Sequence, residues 1–294
     1  MHEVLVGVDG TAAGDAALRF ALEESTARDV DLVALQAWQL PYTGSYGLYP
    51  PVVVDVDLAP GVQRDVERLL ARVQETVPVP ARAGGRPTGR ASAVAVRGPA
   101  AQVIEEQARS ASLLVLGRHE RNAAARMVVG SVVSAALHHV DCPVAVVPDS
   151  WSGFAAGARV LVGVSEDEAA DGALAWAADF AARHGRTLVP VLVRRPSDPG
   201  GPGWPDAVSL DASALAELAR HARGVATSLE QSAVQPEVLV GRPGEELARF
   251  ALPGDVLVVG SRGRGSLTGW LLGSTSSHLA HHATCPVVVV RHHE

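Results

Sequence analysis

At 294 residues, with 47% apolar and 19% charged side chains, the chain is long enough for two packed cores and too poor in charge to be disordered. Its 25 basic and 32 acidic residues give a formal charge of −7, a poor electrostatic match to nucleic acid or to an anionic membrane surface. No run approaches the roughly 18 apolar residues that a membrane helix needs, no basic-then-apolar leader opens the sequence, and a cytoplasmic location is expected.

In chain order, short Val- and Leu-rich runs alternate with longer Ala, Leu, Glu and Arg stretches of helical period. In the first half, strands are expected near Val4–Val8, Leu32–Ala37, Ala91–Val96, Leu113–Leu116 and Val144–Val147. Pro41 to Pro51, rich in Tyr, Gly and Pro, reads as an irregular loop. Pro148 to Ala158 lacks apolar periodicity and reads as a junction, short enough to predict two domains packed together. In the second half, strands are expected near Val160–Val164, Leu188–Val193, Glu237–Val240, Val256–Val259 and Val287–Val290. Runs apolar on both faces and separated by helices predict an α/β fold whose parallel sheets are covered on both sides.

The two halves are one pattern written twice. Val4 to Leu18 aligns with Val160 to Leu174 at a spacing of 156 residues, and Leu113 to Glu120 with Val256 to Gly263 at a spacing of 143. At that second spacing Gly130-Ser131 matches Gly273-Ser274, His138-His139 matches His281-His282, and Cys142-Pro143 matches Cys285-Pro286. The first copy therefore carries extra residues in its middle, part of them expected around Pro78 to Arg90. Domains are expected at residues 1–149 and 158–294.

The segment that carries chemistry is Gly260-Ser261-Arg262-Gly263, then nine residues, then Gly273-Ser274. It leaves the fourth strand of the second copy and opens the last helix. Phosphates need several backbone N–H donors at close range, and glycine permits that approach. A helix start adds free N–H groups and a positive dipole end. Ser274 can cap the helix or donate to a phosphate oxygen, and Arg262 and Arg264 can add charge. A surface loop with no ligand is the plain alternative. Walker A is excluded, because Gly265 is followed by Ser266 with no lysine, and neither VGVDGT nor VGVSED supplies the dinucleotide fingerprint.

G-x2-G-x9-G-[ST] after the fourth strand resembles the ATP-binding signature of the universal stress proteins, as do V-G-V-D-G after the first strand and a closing C-P-V-x-V-V strand. The resemblance covers both halves. It implies two tandem flavodoxin-like (Rossmann-like) domains, each a five-stranded parallel sheet, paired through their last strands into an intramolecular pseudo-dimer. It also implies bound ATP, AMP or ADP, with Mg left open, and a sensing or signalling role in the stress response.

Carried over by position, Gly260, Arg262, Gly263, Gly273, Ser274 and Thr275 would hold phosphates in the second half, with Ser165 standing where the family has an aspartate. In the first half Asp9 matches that nucleoside-contacting carboxylate, beside Gly117, Gly130 and Ser131, but Glu120 replaces the second glycine. Neither copy is complete. The second is expected to bind, because phosphate capture usually dominates nucleotide affinity. A structural module of the same fold without nucleotide, a slow ATPase and a homodimer remain open alternatives.

Other candidates read as structural. His278, His281 and His282 share one helix face in the pattern of a metal site, with His292 and His293 following, but a solvated helix end is expected. Cys142 and Cys285 read as small buried residues, and two cysteines argue against a disulfide scaffold. Gly163-Val164-Ser165-Glu166-Asp167 misses the nucleophile elbow, with Asp167 where glycine is required. Arg82, Arg86, Arg90 and Arg97 read as a solvated loop rather than a nucleic-acid patch.

Overall fold

The computed structural model describes residues 3–39, 58–77, 89–119, 130–165, 171–194, 207–227, 229–230, 233–261 and 272–291. The first half runs β1 (Glu3–Gly7), α1 (Ala12–Arg28), β2 (Leu32–Trp38), α2 (Ala59–Thr76), β3 (Ala91–Arg97), α3 (Ala100–Gln107), β4 (Ala111–Arg118), α4 (Ser131–His139) and β5 (Val144–Pro148). The second repeats it as β6 (Arg159–Val164), α5 (Asp171–His184), β7 (Thr187–Arg194), α6 (Ala207–Val225), β8 (Glu237–Val240), α7 (Pro243–Phe250), β9 (Val256–Gly260), α8 (Ser274–His282) and β10 (Val287–Val290). The expected loop at Pro41 to Pro51 lies outside the described residues, as does most of the segment expected to hold the first copy's excess.

All ten strands form one sheet in the order β3-β2-β1-β4-β5-β10-β9-β6-β7-β8. Pairing is parallel within each half. The halves meet where β5 and β10 run antiparallel, Val146 opposite Val287, Ala145 opposite Val288 and Val144 opposite Val289. These strands are apolar on both faces, and pairing them with each other covers the edge that each half would otherwise leave bare.

Alternation along the strands feeds two cores. Val4 and Val6 of β1 face one layer, built with α1, α2, α5 and α6. Leu5 faces the other, built with α3, α4, α7 and α8. Each half is thus a parallel sheet of five strands with helices on both faces. The chain steps from β1 to β2 on one side and returns to β4 on the other. The strand order therefore reverses between β1 and β4, and likewise between β6 and β9. Ligands of such sheets sit at the carboxyl ends of the strands at that switch point.

The junction is more tightly held than its sequence shows. Trp151 is only 4% exposed. With Phe154 it joins Phe20 of α1 and Phe180 of α5, at ring-centroid separations of 5.4 Å for Phe20–Trp151 and 5.9 Å for Phe154–Phe180. Beside this cluster the carboxylate of Glu24, on α1, is 1% exposed and pairs with Arg28 of its own helix. It also reaches across to α5, with Arg183 at 3.1 Å and His184 at 2.6 Å. A buried charge is tolerable only with such partners.

Candidate functional site

In the first half, a cavity of about 400 Å³ opens at the switch point. Asp9, Gly117, Gly130 and Ser131, which the sequence places far apart, all line it. Thr11 starts α1, and its Oγ1 accepts from the Gly14 N–H. Thr11 also fixes Asp9: its N–H and hydroxyl both donate to Oδ1, at 3.1 and 2.5 Å. The carboxylate is therefore held at the cavity wall by the turn that begins the helix.

The two glycines there differ in physical reason. A Cβ on Gly117 would collide with the Ala13 carbonyl and come within 2.9 Å of the Ala13 Cβ. Glycine is required at that point for β4 to pass the first turn of α1. Gly130 precedes α4 at φ −56°, and a Cβ there would meet nothing within 4 Å. Neither packing nor backbone conformation demands glycine at Gly130; close approach by something in the cavity would.

In the second half, Gly260 ends β9 and Gly273 precedes α8 at φ −64°, ψ 151°, again an ordinary conformation for any residue. The Gly273 N–H donates to the Ser261 carbonyl at 2.8 Å, and the Ser261 N–H to the Val290 carbonyl at 2.8 Å. Ser276 Oγ donates back to the Gly273 carbonyl at 3.2 Å. The two ends of the glycine loop are therefore tied together at the helix start. Arg262 and Gly263, with Arg264, Gly265 and Ser266, lie outside the described residues, as does Glu120 of the first half. Among the described residues, neither α4 nor α8 has a side-chain cap at its N-cap position. Beside Ser274 and Thr275 is a second cavity of about 400 Å³, bordered also by Gly241, Arg242, Gly244 and His278. Ser165, half-buried just past β6, does not border it.

Sequence reading passed over Arg118, which follows Gly117 at the end of β4. It is 4% exposed, lines the first cavity and donates to two carbonyls at the far end of α8, His281 at 3.0 Å and Ala283. Arg291 donates in the opposite direction, to the Leu137 carbonyl in α4 at 3.1 Å. Each loop-following helix is held at its C-terminal end by an arginine of the other half, where a cation complements the helix dipole. The one signal in sequence is an arginine directly after the apolar run of β4.

The remaining candidates have structural partners. His138 and His281, matched in the repeat, each place Nδ1 against the carbonyl four residues back, at 2.7 and 2.6 Å. His292 and His293 lie outside the described residues. Burial pushes the Cys142 thiol up to about 11 and the Cys285 thiol up to about 12, so neither is a thiolate at neutral pH. Arg90 is exposed and Arg97 lies 5.8 Å from the Trp38 ring; Arg82, Arg86, Glu166 and Asp167 lie outside the described residues. No helix among the described residues is long and apolar enough to cross a membrane.

Known proteins align with the chain from end to end. The model of the universal stress protein family matches residues 1–148 and again 158–291. A universal stress protein of Mycolicibacterium smegmatis is 30% identical over 299 residues, covering 99% of this chain and 97% of its own. One from Mycobacterium tuberculosis is 31% identical over 301 residues, covering 98% and 96%. The crystal structure of a universal stress protein from Archaeoglobus fulgidus superposes with a TM-score of 0.63 at 20% identity, covering 98% of each chain. A double match of the family model over nearly the whole length, on a fold repeated about one antiparallel strand pair, places this chain in the universal stress protein family, with two of its domains in tandem.

Proposed function

We propose that this protein binds an adenine nucleotide, ATP above AMP or ADP, chiefly in its second half, and acts in the cytoplasm as a stress sensor or signalling component. The observation that carries the reading is the start of α8. A glycine that its backbone conformation does not require stands there as the N-cap, with no side chain to offer the first helical N–H groups, and tied to the end of β9. That is a donor set suited to an anion. Gly260, Arg262, Gly263, Gly273, Ser274 and Thr275 are the residues to hold phosphates, and Ser165 to meet the nucleoside. No carboxylate falls between Gly260 and Ser274 to act as a general base, so hydrolysis should be slow. A bound nucleotide supplies the negative charge; the protein supplies donors and a helix dipole.

The first-half cavity favours a second reading, in which Asp9 and the space beside Gly130 hold a nucleoside while Glu120 repels phosphate. Denaturing the purified protein and identifying any released nucleotide tests the first reading, and calorimetry counts the sites. One site per chain, with Glu120→Gly creating or strengthening a second, supports it. Two equal sites in the wild type contradict the preference for the second half, and no binding leaves the fold as an interaction module.

A further inference from the structure

The second cavity is bordered by an imidazole at a position where the first half has alanine. At the 143-residue spacing Gly98 matches Gly241, both at left-handed φ (157° and 151°) after the third strand of their half. The same spacing pairs Ala101 with Gly244 and Ala135 with His278. In the first half the facing positions of α3 and α4 are both alanine. In the second, bulk has moved from one helix to the other: a Cβ on Gly244 would come within 2.9 to 3.0 Å of His278 Cβ, Cγ and Cδ2. Removal of that Cβ makes room for an imidazole one turn beyond Ser274 and Thr275, at the cavity edge.

We propose that His278 makes anion binding in the second half proton-coupled, so that a phosphate-bearing ligand binds with uptake of a proton and more tightly as pH falls. This rests on the nucleotide reading of that half. The imidazole sits at the midpoint of α8, one turn in from its start. The His282 ring lies 4.4 Å from it, and two such rings resist both being protonated. Burial, His278, His281 and Arg118 all push His282 down. Arg242, just before α7, and Glu245 pair with each other and border the same cavity, and Glu246 of α7 pairs with Arg249. An anion at the start of α8 is attracted to an imidazolium at His278, so the added affinity is present at low pH, where the imidazolium forms, and is lost as pH rises. The first half has Ala135 at the matching position, and the histidine that lines its own cavity, His119, stands 3.5 Å from Asp149 instead.

The test is calorimetric titration of the full chain with ATP at pH 6, 7 and 8 and constant ionic strength, in two buffers of different ionisation heat. The ligand's own phosphate titrates in this range, so each wild-type curve is compared with that of His278→Gln, which meets the same ligand. Wild type should tighten by roughly three- to tenfold more than the variant between pH 8 and pH 6, with proton uptake that exceeds the variant's. His282→Gln, which relieves the crowding, should keep the coupling and move it to higher pH. Parallel pH profiles for wild type and His278→Gln, or equal proton uptake, overturn the proposal and leave nucleotide binding standing. Absence of binding at every pH in wild type overturns the nucleotide reading itself.

Discussion

Gly117 and Gly130 line the same cavity for different reasons, and substitution separates them. Gly117→Ala forces a methyl into the Ala13 carbonyl, and should destabilise the fold by about 1–3 kcal/mol, measured by denaturant unfolding. Gly130→Ala adds a methyl to open space and should change stability by no more than about 0.5 kcal/mol. Ser274→Ala should weaken nucleotide binding by about 1 kcal/mol, from one lost hydrogen bond. Glu23 bears on stability through pH. Burial pushes it from 4.5 up to about 7, against the pull of Arg19 and Arg186. Its folded value lies above its unfolded value, so it destabilises the protein once pH exceeds about 7, less between 4.5 and 7, and not at all below. Glu23→Gln should therefore stabilise by on the order of 1 kcal/mol at pH 8, after allowance for solvent screening. That gain should vanish by pH 4, and an equal gain at both pH values would contradict the account.

At the scale of elements, the contact between α1 and α5 joins the halves. Burial raises Glu24, but the His184 hydrogen bond and the charges of Arg28, His184 and Arg183 outweigh it and hold the carboxyl below its ordinary 4.5. The stability it contributes is present above that value and lost as pH falls through the lower folded one. Glu24→Gln should cost about 3–5 kcal/mol at neutral pH, because it removes the one anion that Arg28, Arg183 and His184 share, and urea midpoints at pH 7 and pH 4 should converge in the variant. Phe180→Ala, at the stacked ring cluster, should cost a similar ~3–5 kcal/mol.

These contacts mark the limit of what the sequence discloses. The Val-rich runs and the repeated Cys-Pro pairs gave the strands and their duplication, because sheet periodicity and repetition are local signals. Glycine spacing pointed to the ends of the second-half loop, which a backbone hydrogen bond then joins. Glu24 and His184 stand 160 positions apart, and Arg118 and Ala283 165, so nothing local announces either pair. Trp151 and Phe154 fall in a stretch without periodicity, and only the docking of α1 beside α5 gives them a place to bury.

At the scale of the whole molecule, one sheet crosses both halves through β5 and β10. Thermal unfolding should therefore be a single transition, and separate melting of the halves would contradict a shared core. Residues 1–156 expressed alone leave the β5 edge open and should dimerise or aggregate, as sedimentation would show. The central functional claim is that the second-half glycine loop holds phosphate. The most direct measurement is titration of ATP against wild type and Gly263→Asp, with melting curves alongside. The aspartate adds bulk and a negative charge where backbone is expected to meet phosphate. The account predicts saturable binding in wild type and at least a tenfold loss in Gly263→Asp, with the melting temperature unchanged. Equal affinity in the two proteins would contradict it.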